Sequence, residues 1–145
     1  MIEGLGDMGF SLAFSALGSG IGIGIAGMAA IGAWKRAYMQ NKMAPFILTA
    51  FIGAPLTQTI YGFILKSQIK AANLSPETYP YQMIIGAVAG LAIGLSAWMQ
   101  GAIGAKAADA LAETGKGFGN YMMAVGIIET VAIFTMVFTM TTLPK

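Results

Sequence analysis

The stretch NYMMAVGIIETVAIFTMVFTMTTL, from Asn120 to Leu143, carries one charged side chain, Glu129, within 24 residues. A helix rises about 1.5 Å per residue, so roughly 20 apolar residues cross a hydrocarbon core of about 30 Å. The stretch therefore reads as a transmembrane helix. Working outward, three more stretches behave alike: Met8 to Trp34, Met43 to Leu65 and Tyr81 to Ala105 contain no Asp, Glu, Lys or Arg. Together the four take up most of the 145 residues, which leaves no space for a soluble domain. The expected fold class is an all-α integral membrane protein with four transmembrane helices.

Composition supports this. The chain is 57% hydrophobic and 10% charged, with a mean hydropathy of +0.72. Soluble domains carry about 25% charged residues, and so apolar a chain does not remain disordered in water. There is no Cys and no His, which excludes disulfides, thiolate chemistry, zinc sites and a His general base. A net charge of +2 gives no basic surface for nucleic acid. No Gly-rich Lys-Ser/Thr phosphate loop is present, so no nucleotide chemistry is expected of this chain, and no cofactor.

The opening MIEGLGD carries Glu3 and Asp7 in place of a basic leader region, and the first stretch exceeds a cleavable apolar segment, so it is expected to be retained. The connectors expected at one membrane face hold Lys35, Arg36, Lys42, Lys106 and Lys116; the other face holds Lys66, Lys70 and Lys145. The positive-inside bias then places the short loops in the cytoplasm and both termini outside.

The chain repeats itself. Gly53-Ala-Pro-Leu-Thr-Gln58-Thr-Ile-Tyr-Gly-Phe63 aligns with Ala124-Val-Gly-Ile-Ile-Glu129-Thr-Val-Ala-Ile-Phe134, an offset of 71, and Ile31-Gly32-Ala33 recurs as Ile103-Gly104-Ala105. Two tandem hairpins are expected, residues 1–70 (helices about 8–34 and 43–65) and 71–145 (helices about 81–105 and 120–143), crossing the membrane in the same direction. Glycines crowd the odd stretches: Gly18, Gly20, Gly22, Gly24 and Gly27 in the first, Gly86, Gly90 and Gly94 in the third. Small residues four apart let helix backbones approach closely, either inside a four-helix bundle or as the inner wall of a ring.

Glu129 is the one acid inside any stretch, and no Lys or Arg shares its depth. An acid at the bilayer centre costs about 2.5–3.5 kcal/mol on insertion scales. It has to be met by a proton, a bound cation or a partner. Thr57, Gln58 and Tyr61 stand in the second stretch and Gln100 in the third. Hydroxyl, amide and carboxylate oxygens suit a hard cation such as Na⁺; alternatively, the hydroxyls of Thr57 and Tyr61 donate to the carboxylate and hold it ionised. Pro55 loosens its turn and frees the carbonyl four residues earlier, so that a carbonyl near Ala54 can turn toward a cation.

At these residues the chain resembles the membrane rotor-ring (proteolipid, K or c) subunit of V-type and A-type rotary ATPases. The strings that carry the resemblance are Pro55-Leu-Thr-Gln-Thr-Ile-Tyr61-Gly-Phe63 and Ile128-Glu129-Thr130, and it is nearest to the Na⁺-translocating bacterial members. It implies an ion site of Glu129, Thr57, Gln58, Gln100 and the Ala54 carbonyl, with Tyr61 hydrogen-bonded to the carboxylate. Leu56 departs from the pattern, standing where those members carry Gly. The resemblance further implies identical copies in a ring, a stator subunit supplying an Arg, a central stalk on the cytoplasmic face, and the plasma membrane of a bacterium or archaeon. ATP chemistry would lie on other subunits. Gln58 occupies the Glu129 position of the first hairpin, so each chain offers one transferable site, which lowers the ion-to-ATP ratio and favours pumping.

Three other readings remain. A ring of the same family could carry H⁺. A small proton-coupled multidrug exporter would need an aromatic-lined cavity, whereas Val125, Ile127, Ile128, Val131 and Ala132 surround the acid. In a structural tetraspan or pore protein, Glu129 would be dispensable.

Overall fold

The computed structural model describes residues 4–144, so Glu3 and Lys145 lie outside the described residues. Four helical spans long and apolar enough to cross a membrane are present among them: Phe10–Met39, Phe46–Ala71, Pro76–Thr114 and Phe118–Thr142. Within these, α1 is Phe10–Met39, α2 Thr49–Gly53, α3 Thr57–Ala71, α4 Tyr79–Thr114 and α5 Phe118–Thr142.

The second span is not one regular helix. Pro55 has no amide proton to donate, and a 3₁₀ turn, Ala54–Leu56, separates α2 from α3. The carbonyl that Pro55 releases is that of Phe51. It faces Gly104 of α4, where a Cβ would lie 3.0 Å from the Phe51 oxygen. Leu56, the residue that departs from the family pattern, is 53% exposed and turns away from the bundle.

Three helix ends differ from expectation; in the second span, α3 runs past Leu65 to Ala71 and carries Lys66 and Lys70. Helix α4 continues past Ala105 to Thr114, so Lys106, Asp109 and Glu113 are helical and not part of a connector. Their charge marks the end of the apolar core, but Ala-Lys-Ala-Ala-Asp-Ala-Leu-Ala-Glu is a run of good helix formers. The helix stops at Gly115, which takes a left-handed φ of 66°. Likewise α1 extends beyond Trp34 to Met39, carrying Lys35 and Arg36. Arg36 and Asp109 form an ion pair across α1 and α4 at this end, each side chain about half exposed.

Helices α1 and α4 form the close-packed centre. A Cβ on Gly18 would overlap the backbone of Gly94, and one on Gly101 would overlap that of Gly22. The order Asp7–Gly86, Ser11–Gly90, Gly18–Gly94 and Gly22–Gly101 rises in both chain segments, so the two helices run parallel. The odd spans therefore share one direction. The glycines of α1 divide between two faces: Gly18 and Gly22 meet α4, whereas a Cβ on Gly20 or Gly24 meets nothing within 4 Å among the described residues.

Helix α5 lies outside this pair, with only Val125 and Ala132 buried. Two apolar clusters fill the interior. Leu48, Phe51, Ala108 and Val125 belong to one, and Leu65, Ile69, Ile93 and Ala132 to the other. Between them, at residues 54–61, 96–100 and 125–129, lies a polar layer.

Candidate ion-binding site

The polar layer draws on three elements. The turn around Pro55 and the start of α3 bring Ala54, Thr57, Gln58 and Tyr61; α4 brings Gln100; α5 brings Glu129. Thr57, Gln58 and Tyr61 occupy one turn of α3 and so share a level, while α4 and α5 run antiparallel and meet there.

A continuous hydrogen-bonded line joins them. The Thr57 hydroxyl lies 3.0 Å from the Ala54 carbonyl oxygen and 3.1 Å from Gln58 Oε1, and donates to this pair of acceptors. Gln58 Nε2 donates to Gln100 Oε1 at 2.9 Å. Gln100 Nε2 donates to the Val125 carbonyl at 3.0 Å and to Glu129 Oε2 at 3.3 Å. The Tyr61 hydroxyl donates to the other carboxylate oxygen, Glu129 Oε1, at 2.7 Å. Every side chain singled out in the sequence thus lies on one network. One detail differs: the Thr57 hydroxyl goes to Ala54 and Gln58, and the carboxylate bond rests on Tyr61 and Gln100.

Burial is graded across the network. Gln58 and Gln100 are fully buried, and a buried amide is costly unless hydrogen-bonded. Glu129 and Tyr61 are part-buried at the outer edge. Each carboxylate oxygen accepts one hydrogen bond, Oε1 from Tyr61 and Oε2 from Gln100. The oxygens of Ala54, Thr57, Gln58, Gln100 and Glu129 together form a set of hard donors with one negative charge.

Two participants were not anticipated. Ser96 donates to the Ile128 carbonyl at 2.8 Å, tying α4 to α5 one residue before Glu129. It stands four residues before Gln100, hence on the same face of α4, and that spacing was the available signal. The Val125 carbonyl, which orients Gln100, is a backbone group with no signature in the sequence.

Comparison with known proteins identifies the family to which the sequence is similar. A family model for the ATP synthase C subunit matches residues 7–65 and again residues 83–142, one match for each half of the repeat. Over 135 residues the chain is 37% identical to the A-type ATP synthase subunit K of Methanocaldococcus jannaschii. That match spans 92% of this chain and 58% of the archaeal protein, so the chain covers little more than half the relative's length.

Proposed function

The chain belongs to the ATP synthase C-subunit family, and from that premise we propose that it is the ion-carrying rotor-ring subunit of an A/V-type ATP synthase, moving Na⁺ on Glu129. Identical copies form the ring in the membrane, one transferable site per chain. ATP is made or hydrolysed on other subunits, and this chain is not itself catalytic. The drug-exporter and structural-tetraspan readings are set aside by the family.

The observation that carries the reading is the hydrogen-bonded line from the Ala54 carbonyl to Glu129. Na⁺ takes oxygen ligands, and the line holds five candidate groups: the Ala54 carbonyl, the Thr57 hydroxyl, the Gln58 and Gln100 amide oxygens and the Glu129 carboxylate. Glu129 supplies the charge, and Tyr61 fixes the direction in which it points. A proton carrier would need only the acid; the two buried amides, hydrogen-bonded to each other and to Val125, add two oxygens of the kind a hard cation takes.

Loading neutralises Glu129, so that the site can turn through lipid. Release requires a competing positive charge, and no Lys or Arg of this chain occurs in residues 43–65 or 120–143. An Arg of a stator subunit fills that role, with a central stalk seated on the cytoplasmic loops and both termini outside.

The test is modification of Glu129 by a carboxyl-directed carbodiimide in the purified ring at neutral pH. Na⁺ in the millimolar range or below should slow labelling, and Gln58→Ala should demand more Na⁺ for the same protection. Labelling indifferent to Na⁺, in both the native chain and Gln58→Ala, would establish the H⁺-carrying alternative.

A further inference from the structure

Among the described residues, two buried hydroxyls have no hydrogen-bond partner, Ser15 Oγ and Ser19 Oγ, both on α1. Ser15 is fully buried and Ser19 is 2% exposed. Hydroxyls within helices usually turn back on the carbonyl four residues earlier, and Ser67, Thr114 and Thr135 do so here, at 2.7–2.9 Å. Ser15 lies in the seam with the second span, its Oγ beside the place a Cβ on Gly62 would take, and Ser19 stands one turn further along the same face of α1.

The register of that seam is fixed on either side. Gly62 packs on Ser15, and Pro55 packs on Gly22. Gly62 and Pro55 flank Gln58 at +4 and −3, and Ser15 and Gly22 flank Ser19 at −4 and +3. In antiparallel helices this sets Ser19 opposite Gln58, on facing surfaces and at one level.

Gln58 has a use for such a partner. Its Nε2 carries two protons. One goes to Gln100 Oε1 and its Oε1 accepts from Thr57; the second amide proton is uncommitted among the described residues. We propose that Ser19 is a positioning residue of the ion site: its hydroxyl accepts the second Nε2 proton of Gln58 once the amide turns its oxygen to the cation. The amide then stays aligned without drawing on Gln100 Oε1, which is itself needed as a ligand. This inference rests on the cation-carrying reading above.

The test uses the assembled ring and reads the Na⁺ concentration that half-protects Glu129 from carbodiimide, together with the labelling rate in the absence of Na⁺. Ser19→Ala should raise the half-protecting concentration about three- to tenfold, the loss of one hydrogen bond, and leave the Na⁺-free rate unchanged. Ser19→Cys, of similar size and with a weak acceptor, should fall between. Ser15→Ala, which removes the equally unpartnered hydroxyl one turn away, should leave the curve in place. A native curve for Ser19→Ala, or equal shifts for Ser15→Ala and Ser19→Ala, would overturn the assignment while leaving the sodium site standing. Absence of Na⁺ protection in the native ring would overturn the cation-carrying reading itself, and this proposal with it.

Discussion

The Tyr61 hydroxyl donates to Glu129 Oε1 over 2.7 Å, joining the first hairpin to the second at the carboxylate. A hydrogen bond to a charged group contributes about 1.5–3 kcal/mol. Tyr61→Phe removes it while keeping the ring, so Na⁺ affinity at Glu129 should fall roughly 10- to 100-fold. Na⁺ titration of carbodiimide protection in the variant checks this; an unchanged titration would mean that Tyr61 only packs against the acid.

The glycines of α1 make a paired prediction. Gly18 meets the backbone of Gly94, which has no flexible end to move aside. Gly18→Ala should therefore destabilise the chain by about 1–3 kcal/mol through overpacking. A Cβ on Gly24 meets nothing within 4 Å among the described residues, so Gly24→Ala should leave the isolated protomer at least as stable as the native one, Ala favouring the helix over Gly. Thermal unfolding in detergent, both variants side by side, reads the contrast. Equal loss from both would contradict the packing described.

Asp7 is 1% exposed and caps the start of α1, its carboxylate accepting the amide protons of Gly9 at 2.9 Å and Ser11 at 2.8 Å. Gly86 leaves room for it, since a Cβ there would overlap the Asp7 side chain. Asp7→Ala should cost about 0.5–2 kcal/mol, and Asp7→Asn, which keeps an accepting oxygen, should cost less. Chemical or thermal unfolding of the two variants gives the order.

By contrast, the Arg36–Asp109 pair at the loop end is half exposed on both sides. Exposed pairs contribute about 0–1 kcal/mol. Arg36→Ala, Asp109→Asn and the double variant should all unfold within about 1 kcal/mol of the native chain, and a double-mutant cycle measures the coupling directly.

Much of this was legible in the residues. Three uncharged stretches and a fourth with a single acid gave the membrane fold and its centre, and the spacing of Thr57, Gln58 and Tyr61 placed them on one turn. Charge misleads about the helix ends: Lys106 to Thr114 leaves the apolar core but keeps helix-forming residues, and the stop is the left-handed Gly115. Asp7 reads as a terminal, solvated acid because its burial depends on Gly86, far along the chain. The choice of Thr57 partner was also out of reach, since two neighbouring acceptors on its own segment compete with a carboxylate on another helix. Ser19 carried no signal, being one small polar residue among glycines; its place opposite Gln58 follows only from the packing of Gly62 on Ser15 and Pro55 on Gly22.

The central claim is that Glu129, served by the line from Ala54 through Gln58 and Gln100, carries one Na⁺ per chain. Equilibrium binding of ²²Na⁺ to the purified ring at neutral pH tests it most directly, counted per chain and repeated with Glu129→Gln. The account predicts one ion per chain in the native ring, weaker binding as acid is added and protons compete, and loss of binding in the Glu129→Gln ring. Two ions per chain, or undiminished binding in the Glu129→Gln ring, would contradict it.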